Sequence, residues 1–197
     1  LTKGLPADKP KKNRRQLAKQ GEGVLLREIA AMQKELGTCR CSGRDAARAA
    51  APARPSPASL SQTVILIRHG EKDGGDDLDA RGYTRAYCLA SRFAGATHLY
   101  AYTDKDTRRP VETLTPLAGA LGLAVDTSVH RDDVDALAAS IAALPSDAVA
   151  VVAWEHSVLS DVAAALGVRN APEYPSDEFD WQWTVRHGQL TQANEKC

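Results

Sequence analysis

Aromatic side chains are scarce in this 197-residue chain, at 5% of its residues. The 43% that are hydrophobic must therefore build a core mostly from Ala, Val and Leu. No apolar stretch approaches the ~20 residues needed to span a bilayer, and no signal-peptide core is present. The first residue is Leu1 rather than Met, so the chain is read as a fragment or processed product whose targeting segment would lie upstream. Cysteine is sparse: Cys39, Cys41, Cys88 and Cys197 make no disulfide framework. Cys39 and Cys41 stand too close to pair easily, and their CxC is half a metal site with no further Cys/His cluster to complete it. The expectation is reduced thiols in a reducing, intracellular compartment.

Net charge is absent as well, since 25 Lys and Arg balance 25 Asp and Glu. The balance hides an asymmetry. Residues 1–60 hold 13 basic against 5 acidic side chains, a net of +8, and residues 61–197 hold the remaining 12 against 20, a net of −8. Such a split suggests two segments with different tasks. The basic arm can lie against the acidic body, or serve a nucleic acid or another acidic surface. The acidity of the body argues against nucleic acid as its specific partner.

Length allows one domain of ordinary size, with chain left over. Residues 1–42 read as a basic arm with one amphipathic helix: Leu25, Ile29, Met32 and Leu36 share a face, and Gly37 is a stop. Residues 43–61, rich in Ala, Arg, Pro and Ser, read as a linker that cannot bury much. From residue 62 to 197 strand and helix patterns alternate. The runs TVILIR, HLYAYT, LAVDTS and DAVAVVAWE are strand candidates, separated by helical stretches, and FDWQWTVR alternates like a final edge strand. Strands alternating with helices predict an α/β three-layer sandwich with a mostly parallel sheet. Strands apolar on both sides predict helices on both faces.

In such open sheets ligands bind outside the carboxyl ends of the strands. TVILIR ends there in Arg68-His69-Gly70, and VAVVAW ends in Glu155-His156. Arg109 opens a helix just after a third strand, where a helix N-terminus also favours an anion. Two histidines with two arginines describe an anion clamp holding a nucleophile. Arg offers a planar fork of donors and keeps its charge. A neutral imidazole is a good nucleophile towards phosphorus, provided its other ring nitrogen is held. The arginines supply the charge stabilisation that a metal ion gives elsewhere, so the chemistry demands no metal or other cofactor. The acidic stretch EKDGGDDLDARG fails the EF-hand spacing and reads as a turn capping the next helix. His98, His130 and His187 have no motif around them, and Trp181 and Trp183 read as packing residues.

These residues resemble the histidine phosphatase superfamily, also called phosphoglycerate mutase-like. RHGE at residues 68–71 is similar to its signature. LDARGYTRAYCLA, TDKDTRRPVET and VVAWEHS resemble further blocks of the family in its order, so the likeness runs over about residues 63–185. The resemblance implies that His69 is the nucleophile forming a phosphohistidine. It implies that Arg68, Arg109 and His156 bind the phosphate, with Gly70 letting the backbone approach. Arg109 rather than Arg108 falls on the family's position.

Two departures stand out. Glu155 occupies a place where the family usually has glycine, and no acid follows the second histidine, where Ser157 stands. Glu155 is therefore the first candidate for proton donor, while nothing singles out Asp132 or Asp133. The expected activity is a metal-independent phosphomonoester hydrolase acting on a small phosphometabolite or a phosphoprotein. Two alternatives stand beside it: a phosphate-binding module of the same fold with weak or no turnover, and a mutase-type phosphotransferase. The compact chain lacks the longer substrate loops of full mutases.

Overall fold

The computed structural model describes residues 60–105 and 107–197. The basic arm, its amphipathic helix and nearly all of the linker lie outside the described residues. The elements run β1 (Thr63–Arg68), α1 (Ala80–Arg92), β2 (His98–Ala101), α2 (Arg109–Leu121), β3 (Val125–Asp126), α3 (Val134–Ala142), β4 (Val149–Trp154), α4 (His156–Ala165), β5 (Trp181–Arg186) and β6 (Gln189–Asn194). They form one six-stranded sheet in the order β3-β2-β4-β1-β5-β6. The first four of these are mutually parallel, and β5 runs antiparallel to β1 and β6.

The period of two along each strand sorts the core into two layers. Val64, Leu66, Ala150, Val152 and Trp154 face α3 and α4, where Leu137, Ile141, Leu159 and Val162 meet them. Ile65, Ile67, Val151 and Ala153 face α1 and α2, meeting Leu89, Phe93, Leu114 and Leu117. Helices therefore cover both faces, as the all-apolar runs predict. Leu66 and Ile67 are fully buried on opposite faces of one strand. Cutting either to Ala would cost ~2–5 kcal/mol in lost burial plus cavity.

Caps fix where the helices start. Asp79 accepts from the N–H groups of Arg81 (2.8 Å) and Gly82 (2.9 Å) with one carboxylate oxygen, opening α1. Asp133 does the same for α3 through Ala136. Gly122, with φ 65°, takes the left-handed conformation that ends α2.

Two expectations are corrected. The strand 181–186 is not the sheet edge. His187 (φ 51°) and Gly188 (φ 69°) form a two-residue turn with both φ positive, which returns the chain as β6. Since the residues of β6 are polar apart from Leu190 and Ala193 and mostly exposed, hydrophobic alternation could not reveal it. The second correction concerns the cysteines. Cys88 on α1 and Cys197 form a disulfide, with Cα atoms 5.7 Å apart and 109 residues between them in sequence. Spacing along the chain carries no sign of this, because the fold alone brings the two together. Among the described residues no helix is long and apolar enough to cross a membrane.

Candidate active site

β1 and β4 lie side by side and parallel, with Arg68 opposite Trp154 in register. The backbone N–H of His69 donates to the carbonyl of Trp154 at 3.1 Å. The two strand ends that carry His69 and His156 are thus stitched together at the backbone. β2 flanks β4 on its other side, and the chain leaving it reaches Arg109. Arg68, His69, Arg109, Glu155 and His156 line one cavity of about 270 Å³. The structure brings all of these sequence-predicted site residues together.

His69 is 4% exposed. Its Nδ1 lies 2.8 Å from the carbonyl oxygen of Gly70. A carbonyl only accepts, so Nδ1 carries the hydrogen and Nε2 keeps a bare lone pair. Burial, and then the nearby Arg109, Arg68 and Lys72 charges, lower its pKa to about 4, against the pull of the Gly70 hydrogen bond. The imidazole is therefore neutral at physiological pH.

Arg68, also 4% exposed, is held by a segment distant in sequence. Its Nη1 donates to the carbonyls of Ser176 (2.7 Å) and Glu178 (2.9 Å), and its guanidinium lies 3.7 Å from the centre of the Phe179 ring. Phe179 also meets the edge of His69 at 6.2 Å. Burial pulls the Arg68 pKa down from its ordinary value, opposed by Tyr174 and Glu155. Its Nε is buried without a hydrogen-bond partner, and so is Nδ1 of His156. Native interiors rarely leave such atoms unpaired, since each costs ~1–3 kcal/mol. His156 opens α4, and burial followed by the Arg68 charge lowers its pKa.

Gly70 donates its N–H to Thr113 Oγ1 at 2.9 Å, and that hydroxyl donates to the carbonyl of Arg109 at 2.8 Å. Thr113 thus ties the turn after β1 to the first turn of α2. Arg109 Nε donates to Thr107 Oγ1 at 2.8 Å. Arg108, by contrast, is two-thirds exposed and pairs with Asp77. Asp132 and Asp133 stay out of the cavity lining: the first pairs with Arg131 and the second caps α3.

Glu155 lies in the cavity wall with Oε2 accepting from Arg131 Nη1 at 2.9 Å. Arg131 itself went unread in the sequence, as did Lys72, Tyr102, Asp104 and Thr107, which complete the lining. Tyr102 and Asp104 follow the end of β2, so the rule that found Arg68 and His69 would also have flagged them. Arg131 and Phe179 come from loops with no motif. Among the described residues no group of three or more His, Cys, Asp or Glu side chains is arranged to hold a metal ion.

No family model matches the chain, and no curated protein matches it. Solved structures are similar to it. A mycobacterial glucosyl-3-phosphoglycerate phosphatase complexed with VO3 aligns over 67% of this chain and 97% of its own, at 17% identity and TM-score 0.49. The same phosphatase with inorganic phosphate aligns over 67% and 94%, at 16% identity and TM-score 0.48. A candidate alpha-ribazole-5'-P phosphatase from Escherichia coli aligns over 68% and 95%, at 16% identity and TM-score 0.48.

Proposed function

We propose that this chain is a histidine phosphatase: a metal-independent phosphomonoester hydrolase that works through a phosphohistidine on His69. One observation carries the proposal. A buried, neutral histidine with Nε2 unencumbered shares one cationic cavity with the side chains of Arg68, Arg109 and His156. A phosphoryl group brings several acceptor oxygens, and its negative charge answers the excess of cations in the lining, Arg68, Lys72, Arg109 and Arg131 against Asp104 and Glu155.

In the first step His69 Nε2 attacks phosphorus in line, and the P–O bond to the leaving group breaks. Arg68, Arg109 and His156 hold the equatorial oxygens as charge redistributes over them. Glu155, in the cavity wall, hands the leaving oxygen a proton. In the second step Glu155 takes a proton from water, whose oxygen attacks phosphorus and breaks the N–P bond. Phosphate leaves, and His69 and protonated Glu155 are restored. The substrate is a phosphomonoester carried by a small molecule or by a protein.

The test is release of p-nitrophenol from p-nitrophenyl phosphate by the full chain. Turnover that vanadate inhibits, that EDTA leaves unchanged and that His69→Ala abolishes supports the proposal. Tight binding of a phosphopeptide with no turnover would replace it by a binding module of the same fold.

A further inference from the structure

Glu71 follows the His69-Gly70 turn directly, and its carboxylate is gripped on both oxygens. Arg85 Nε donates to Oε2 at 3.0 Å and Nη2 to Oε1 at 2.7 Å. The remaining terminal nitrogen of that guanidinium, Nη1, donates to Oε2 of Glu195 at 3.1 Å. Arg85 is only 11% exposed at its side chain, and Glu195 is fully buried. One helical turn further along α1 stands Cys88, bonded to Cys197 just beyond Glu195. Two side chains on one face of α1 therefore grip the same short tail. The same segment also meets the chain that holds Arg68: Glu195 N donates to the carbonyl of Asp180, next to the Phe179 that stacks on Arg68.

Burying the Glu195 carboxyl is costly unless it stays paired. The covalent bond removes the freedom that would let the tail leave. Burial pushes the Glu195 carboxyl up to about 8 against the pull of Arg85, while the hydrogen bonds from Arg85 hold the Glu71 carboxyl below its ordinary value.

We infer that Arg85 and Glu195 are positioning residues for the His69 chemistry, and that the Cys88–Cys197 bond tethers them, so opening it with a dithiol slows turnover. The inference rests on the phosphatase reading above. In the opening step the dithiol supplies two electrons and two protons. The S–S bond breaks, Cys88 and Cys197 become thiols, and the dithiol closes to its own disulfide. Cys197 is exposed at the rim of a surface cavity that Arg81, Thr84 and Arg85 also line, so a reductant can reach it.

The experiment measures kcat and KM for p-nitrophenyl phosphate with the full chain, oxidised and then treated with dithiothreitol, with circular dichroism to follow the fold. Misplacement of the turn predicts a fall in kcat of about tenfold on reduction, with the dichroism spectrum unchanged. The Cys39→Ser/Cys41→Ser double variant should keep both its activity and this sensitivity. Cys197→Ser should sit at the reduced level and ignore dithiothreitol. Glu195→Gln should retain more kcat than Glu195→Ala, and Arg85→Lys, which keeps the charge but loses the fork, should lower kcat. Equal kcat in oxidised and reduced wild type, with only the melting temperature changed, overturns this inference alone. No hydrolysis by the oxidised wild type overturns it together with the phosphatase reading.

Discussion

Gly82 packs so closely against the backbone of Glu71 that a methyl group there would sit 2.9 Å from the Glu71 nitrogen and closer still to its carbonyl oxygen. The relation is mutual, because a methyl on Gly70 would meet Gly82 Cα and its carbonyl oxygen at 3.0 Å. The first turn of α1 thus docks on the His69 turn through two residues that carry no side chain. All four atoms at risk belong to backbone, which cannot swing aside.

Gly82→Ala follows from that contact. Helix propensity alone would favour Ala by about 1 kcal/mol, but the clash outweighs it, at about 1–3 kcal/mol for forced backbone movement. The expected result is a lower denaturation midpoint together with lost hydrolysis of p-nitrophenyl phosphate. Urea melts and steady-state rates check it. A more stable, fully active variant would show that the contact is slack.

The lowered His69 pKa sets the acid limb of the rate profile. The nucleophile is the neutral ring, and it protonates only near pH 4. The acid limb of kcat/KM should therefore fall through about pH 4 rather than near 6.5. Stability has the same sign. Between pH 6.5 and about 4 the unfolded chain binds a proton that folded His69 refuses. Its contribution is full above 6.5 and is lost as pH falls. NMR titration of the ring in wild type, with His69→Asn as the blank, reads the value directly. A ring titrating at its ordinary 6.5 would contradict the burial argument.

Much of this arrangement was legible from the sequence, for a physical reason. A strand buried on both faces must be apolar throughout, so TVILIR and VAVVAW announce themselves and their ends mark the ligand site. Arg68, His69 and His156 stand at those ends, Arg109 is read instead from the start of the helix after HLYAYT, and Asp79 only as part of a capping turn. What stayed hidden depends on contacts between distant parts of the chain. The Cys88–Cys197 bond spans 109 residues, and Phe179 reaches Arg68 from a loop. Arg131 meets Glu155 from a segment without periodicity, and β6 sits at the sheet edge where side chains need not be apolar.

Glu155→Gln tests the proton transfer through the leaving group. An alkoxide leaves poorly without a proton, whereas p-nitrophenolate needs little help. Loss of a general acid should cost about 100-fold on an alkyl phosphate and much less on p-nitrophenyl phosphate. Steady-state kcat/KM on the two substrates, which reports only as far as departure of the leaving group, decides it. Equal losses on both would remove Glu155 from the role and leave it as the partner of Arg131.

The most direct measurement is rapid quench of the full chain with a radiolabelled phosphomonoester. The account predicts label on the peptide containing His69, stable to base, lost in acid, and absent from His69→Ala. Turnover with no covalent label on the chain, or His69→Ala hydrolysing at the wild-type rate, would contradict it.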